Sequence, residues 1–202
     1  ATNTMHGISH ESNGLSLFTK VKGLIVRKVN GHYVYNKSTH RFEKWNTAID
    51  SLLPETVRFF EPFDENKFMV YGNGRLLLID YSTQQKLMEI QLPGILMGAA
   101  RINNNEILTY TLSGSGFIRI NIKTQTVTDS YTNLKDQNGN ALAKDLRNIT
   151  RINEQQFAIS TRFSGMYLID LEKESLQLLK HDPLNERSIG GDNTNVVHYD
   201  SS

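Results

Sequence analysis

Six histidines, twenty-one carboxylates and no cysteine are the groups in these 202 residues from which catalysis or metal binding could be built. The missing thiols exclude disulfides, thiolate metal sites and a cysteine nucleophile. His6 and His10 stand four apart, the spacing that puts two imidazoles on one helix face. The stretch around them (Met5 to Gly14) has Gly7 and no apolar periodicity, so it reads as a solvated tail. His32, His40, His181 and His198 are scattered along the chain. Asp136 to Ala141 (DQNGNA) spaces oxygen ligands like the start of a calcium loop. Ala141 stands where that loop's sharp turn needs Gly, and Arg147 where a bidentate Glu belongs, which leaves a polar Asn-Gly turn. Gly114 to Gly116 falls between two strand-like runs, without the helix N-terminus that cradles a phosphate. Neither a Gly-x-Ser-x-Gly elbow nor a paired-carboxylate spacing occurs. Arg58, Glu61, Arg101 and Arg151 could line a centre, but no carboxylate–histidine pair recurs with them. No catalytic residue, metal site or cofactor is expected.

The elements that would position any site are strands. Apolar runs are four to seven residues long and alternate (GLIVRKV, KFMVYG, EILTYTL, FIRINI, MYLIDL), with turn residues between them. Helical spacing is not sustained over eleven residues anywhere, so the chain reads as all-β. With 38% hydrophobic and 21% charged residues and a mean hydropathy of −0.42, the composition is that of a chain that folds. A net charge of +1 without a basic run argues against a nucleic-acid or anionic-membrane surface. The longest apolar runs, such as Leu76 to Ile79, are too short to cross a bilayer as a helix. Ala1 to Gly14 is too polar for a signal peptide, and a chain opening on Ala reads as a processed or excised piece.

The chain repeats. In register, Gly31 to Asn36, Gly74 to Asp80, Gly116 to Asn121 and Gly165 to Asp170 each give a Gly, an apolar strand and a closing Asn or Asp, at spacings of 43, 42 and 49 residues. Upstream, Arg101 to Thr111 (RINNNEILTYT) matches Arg151 to Thr161 (RINEQQFAIST), and Glu61 to Tyr71 is a looser copy. Each unit then holds four strands, in the third about 97–102, 106–112, 117–122 and 126–131. A four-strand period of this length predicts β-propeller blades rather than a two-layer sandwich. The expected organisation is a polar tail over 1–14, then a partial propeller with blades over 15–56, 57–96, 97–146 and 147–186. A further blade begins over 187–202 with one extra strand at Asn195 to Asp200. The ring is expected to be incomplete in this chain, its open faces covered by remaining blades or another copy.

His181 to Asp200 (HDPLNERSIGGDNTNVVHYD) resembles the linker of the two-component regulator propeller repeat, through Asp182-Pro183, Ser188-Ile189, Asn195-Val196 and Asp200. Asn13 to Asn36 is similar to that repeat's Gly-Leu-Ser opening, and Ser164 to Pro183 is its best single copy. The family's central Trp is absent, with Val26 and Val70 in its place, and the one Trp is Trp45 on a fourth strand. The resemblance implies a periplasmic sensor segment of an inner-membrane-anchored hybrid two-component protein. Such a segment binds a glycan fragment or other small ligand and leaves chemistry to a downstream histidine kinase. It implies no membrane contact within the segment itself.

Where such a ligand would bind follows from loop placement. Thr132 to Arg147 (TNLKDQNGNALAKDLR) adds about seven residues to the period, and antiparallel pairing puts it at the same end as the second-to-third turns. Glycan contacts are expected from Asn138, Asn140, Lys144, Arg162 and Phe163, as polar forks and one stacking ring. A propeller enzyme acting on polysaccharide and a protein-binding scaffold are the alternatives.

Overall fold

The computed structural model describes residues 12–19, 23–28, 31–45, 51–53, 59–112, 116–197 and 199. Among them sixteen strands form four antiparallel sheets of four, each a meander in chain order, the form of a propeller blade. The first sheet is β1 (Ser12–Thr19), β2 (Gly23–Lys28), β3 (Gly31–Asn36) and β4 (Arg41–Lys44); the second is β5 (Phe59–Pro62), β6 (Lys67–Gly72), β7 (Arg75–Asp80) and β8 (Gln85–Gln91). The third is β9 (Leu96–Asn103), β10 (Glu106–Thr111), β11 (Phe117–Asn121) and β12 (Thr126–Tyr131); the fourth is β13 (Leu146–Arg151), β14 (Gln156–Thr161), β15 (Met166–Asp170) and β16 (Ser175–Leu179). The chain divides within β8 into two compact units, Ala1–Glu89 and Ile90–Ser202.

Each unit packs two sheets face to face with their first strands adjacent, β1 beside β5 and β9 beside β13. In the first unit the core joins Ile25 and Trp45 to Phe68, Val70, Leu77, Ile79 and Tyr81. Trp45, just past β4, stacks on Tyr81 with ring centroids 4.8 Å apart, and Phe68 closes on the same ring at 4.4 Å. In the second unit Leu108, Tyr110 and Phe117 meet Phe157, Ile159, Tyr167 and Ile169. Each such side chain removed from water is worth about 1.5–3 kcal/mol, which is why the alternating runs settle as buried strands.

The recurring Asn or Asp has a local cause. At the end of the third strand of each sheet, its side-chain oxygen accepts backbone N–H groups of the next turn. Asn36 takes Ser38 at 2.9 Å, Asp80 takes Ser82 at 2.7 Å, Asn121 takes Thr124 at 3.0 Å and Asp170 takes Lys173 at 3.0 Å. Four residues after that anchor the chain enters the left-handed region each time, at His40, Gln84, Gln125 and Glu174, with φ between 47° and 56°. The turns between first and second strands repeat the device through Asp64, Asn103 and Asn153. We call the end of each sheet that carries these two turns its lower end.

Two boundaries differ from the sequence reading. β1 opens at Ser12, inside the stretch expected as tail. Residues 195–197 and 199 belong to no strand, although a strand is expected over Asn195 to Asp200. This segment is held by side chains instead of a ladder: Ser160 Oγ donates to Asn195 O at 3.0 Å and Thr150 Oγ1 to Val197 O at 2.5 Å. His6, His10, Arg58, Ser113 to Ser115 and His198 lie outside the described residues.

Candidate functional site

The upper end of the second unit brings together three segments: the insertion after β12, the β14–β15 turn, and the stretch after β16. The insertion folds into a small hairpin, with Lys135 bridging Ala141. Its tip is closed by Asp136. One carboxylate oxygen accepts the N–H groups of Asn138 at 2.9 Å and Asn140 at 2.8 Å, and the other accepts Asn140 Nδ2 at 3.1 Å. Burial raises the Asp136 carboxyl, but these bonds and nearby Lys180 outweigh it and hold the group below the ordinary carboxylate range. The calcium-like stretch therefore spends its carboxylate on its own backbone. Gly139, at φ +82° with open space around it, supplies the backbone conformation and nothing else.

Three contacts tie the insertion down. Gln137 pairs its side-chain amide with the outer edge of β16, donating to Leu178 O at 2.9 Å and accepting Leu178 N–H at 2.8 Å, as a neighbouring strand would. Tyr167, buried beneath, accepts the Ala143 N–H through its hydroxyl at 3.3 Å. Asp145 then grips the β14–β15 turn. Its carbonyl accepts Arg162 N–H at 2.9 Å, and its carboxylate accepts Phe163 N–H at 2.7 Å and Ser164 Oγ–H at 2.9 Å. Behind that turn Gly165 sits at φ +95°, where a Cβ would run into the Leu179 carbonyl. Gly165 donates its N–H to Asp192 O at 2.9 Å, and Asp192 Oδ1 accepts His181 N–H at 2.8 Å, which docks the third segment at the same end.

The structure divides the expected site residues into two groups. Asn138 and Asn140 occupy the hairpin tip beside β16, and the Asn140 amide is turned inward onto Asp136. Lys144, Arg162 and Phe163 surround Asp145. Phe163 is 65% exposed, and the Arg162 guanidinium lies over its ring, 4.8 Å from the centroid. Asp145 and Gln137, which fix these groups, escape the sequence reading. Their one signal is position, at the end of an insertion immediately before a strand and opposite the free edge of the same sheet.

Two hollows are present in this unit. One of about 140 Å³ lies between the insertion and the end of the third sheet, lined by Tyr131, Asn133, Lys135 and Leu142 among others. The larger, about 210 Å³, lies at the lower end of the fourth sheet. Its polar lining is already paired, Gln156 Nε2 with Asp170 at 3.1 Å and Lys173 with Asp170 at 3.3 Å, which makes it the weaker candidate. Both fall below the roughly 300 Å³ of an enclosed small-molecule pocket. In the first unit, burial pushes the Glu61 carboxyl up to about 7. Among the described residues, no group of three or more His, Asp or Glu side chains is placed to hold a metal ion.

No family model matches the sequence, and no curated protein matches it. Solved structures match its fold. The extracellular domain of a hybrid two-component system, BT3049, from B. thetaiotaomicron is similar over 92% of this chain with a TM-score of 0.58 at 18% identity. AztD from Citrobacter koseri is similar over 89% (TM-score 0.55, 13% identity), and the Cps50 (Swd1) β-propeller domain of Myceliophteria thermophila over 84% (TM-score 0.58, 11% identity). The chain spans 24%, 48% and 55% of these three structures. At such identities the likeness establishes the fold. It is a β-propeller fold.

Proposed function

We propose that this chain is a ligand-sensing segment of an extracytoplasmic β-propeller, part of a periplasmic, inner-membrane-anchored hybrid two-component protein. In this reading the segment performs no chemistry. It binds a glycan fragment at the upper end of the second unit and passes the signal to a kinase elsewhere in the protein. Further blades, or another copy, cover its open sheet faces.

The observation that carries this reading is the clamp around Asp145, which holds an exposed aromatic ring and a guanidinium rigidly at the end of the fold where the repeat varies. The fold likeness to an extracellular two-component domain and the linker-like stretch from His181 to Asp200 support it. A thermal-shift screen against plant and host glycan fragments tests it, followed by a turnover assay on any hit. Stabilisation without product supports a sensor, product supports a propeller enzyme, and no stabilisation by any saccharide supports a protein-binding scaffold.

A further inference from the structure

We infer that the saccharide taken at this upper end is anionic, its carboxylate or sulfate gripped by Arg162 while a sugar ring lies on Phe163; this rests on the glycan reading above. The inference comes from how charges are disposed at the two ends of the second unit. At the lower end three cations are paired locally, Arg119 with Glu106 at 2.6 Å, Lys173 with Asp170 at 3.3 Å and Arg151 with Glu154 at 3.9 Å, while Lys123 makes no ion pair among the described residues. At the upper end Lys135, Lys144, Arg147, Arg162, Lys180 and Arg187 make no ion pair among the described residues, and all six are exposed to solvent.

Most of the carboxylates that could neutralise those cations are already engaged as hydrogen-bond acceptors. Asp136 holds the hairpin tip, Asp145 the β14–β15 turn, Asp182 the Leu184 N–H at 2.9 Å and Asp192 the His181 N–H at 2.8 Å. Asp182 and Glu186 are the exposed acids among these loops. The net charge of this end is therefore small, but its six exposed cations outnumber its two exposed acids. Arg162 is the one best placed for a specific contact. Its guanidinium carbon lies 4.8 Å from the centroid of the exposed Phe163 ring, and a guanidinium fork matches a carboxylate or sulfate bidentately. Asp145 fixes the backbone of both residues, so little ordering remains to be done on binding.

Titration calorimetry of the whole chain tests this with oligogalacturonate and a sulfated heparin-type oligosaccharide, neutral galactan and xylan oligosaccharides, and inorganic sulfate. At least one acidic saccharide should bind ten-fold or more tighter than every neutral one and weaken several-fold between 20 and 200 mM NaCl. Arg162→Gln should lose at least ten-fold on the acidic ligand, and Phe163→Ala should weaken it without changing thermal unfolding. Equal or better binding of a neutral saccharide overturns the anionic assignment and leaves the sensor reading standing. Binding of inorganic sulfate as tight as the sulfated saccharide overturns the role of the sugar ring. Folded protein that binds no saccharide overturns both readings.

Discussion

The two ends of the sheets are built by opposite rules. At the lower ends the chain turns the same way from sheet to sheet, around an Asn or Asp that collects backbone N–H groups and a left-handed residue four places on. At the upper end of the second unit residues hold one segment to another: Asp145 the insertion to the β14–β15 turn through its carboxylate, Asp192 the stretch after β16 to that turn through its carbonyl. A turn that closes on itself needs nothing from its neighbours and can be copied. A loop that closes on another loop is specific to one place, and it can present side chains that the repeat itself never carries. On the function proposed above, the difference separates scaffold from recognition surface within one unit.

The largest effect expected concerns the glycines of the upper end. Gly165→Ala should cost about 3 kcal/mol, since φ +95° and the Leu179 carbonyl both oppose a Cβ. Gly139→Ala, strained but in open space, should cost about 1 kcal/mol. Urea midpoints measure both, and equal losses would mean that the β14–β15 turn is no more constrained than the hairpin tip. Next, Asp145→Ala should cost about 2 kcal/mol by orphaning the Phe163 N–H and releasing Ser164, and should weaken saccharide binding with it. Asp170→Ala, which breaks a lower turn and its link to Gln156 in the same sheet, should cost about 1 kcal/mol and leave binding unchanged.

Glu61 sharpens the contrast from the first unit, as a lower-end carboxyl that burial pushes up to about 7 from an unfolded value near 4.5. The folded state then holds the extra proton, so this residue's effect on stability worsens as pH rises from about 4.5 to about 7 and is constant above. Glu61→Gln should remove that slope and stabilise the protein at pH 8 by about 2 kcal/mol, read as a shift in the urea midpoint. Glu106 behaves in the opposite sense. The Arg119 hydrogen bonds hold it below its ordinary value against the pull of burial, so its contribution is complete above pH 4.5 and is lost as pH falls. Glu106→Gln should cost about 1 kcal/mol at pH 7 and nothing near pH 2. Smallest of all, Glu154→Gln at the exposed Arg151 pair should change stability by less than about 0.5 kcal/mol.

The repeat is legible in the sequence because its turns demand particular residues at fixed offsets. Asn36, Asp80, Asn121 and Asp170 could be placed in register before any coordinates, and the strands between them follow from alternation. The glycines ahead of the third strands are equally readable, and Gly74, Gly116 and Gly165 all take positive φ. The site is legible only in part. Phe163 and Arg162 are conspicuous in a turn, but Asp145 is one acid in a polar loop, and its role depends on a turn sixteen or more residues away. Asn140 reads as an outward fork, whereas its amide answers a carboxylate four residues back that only the folded hairpin brings round. The apolar Val196-Val197 reads as a strand, yet the Thr150 and Ser160 hydroxyls bind the carbonyls of Val197 and Asn195 and so take the place of a ladder there.

The claim that the upper end recognises and the lower end supports is tested most directly by amide chemical-shift mapping of the protein with its tightest saccharide. The shifts should concentrate in 132–145, 161–165 and 180–194, with the Phe163 and Ser164 amides among the largest. Shifts concentrated instead in the repeated turns at 121–125, 153–156 and 170–175 would contradict it.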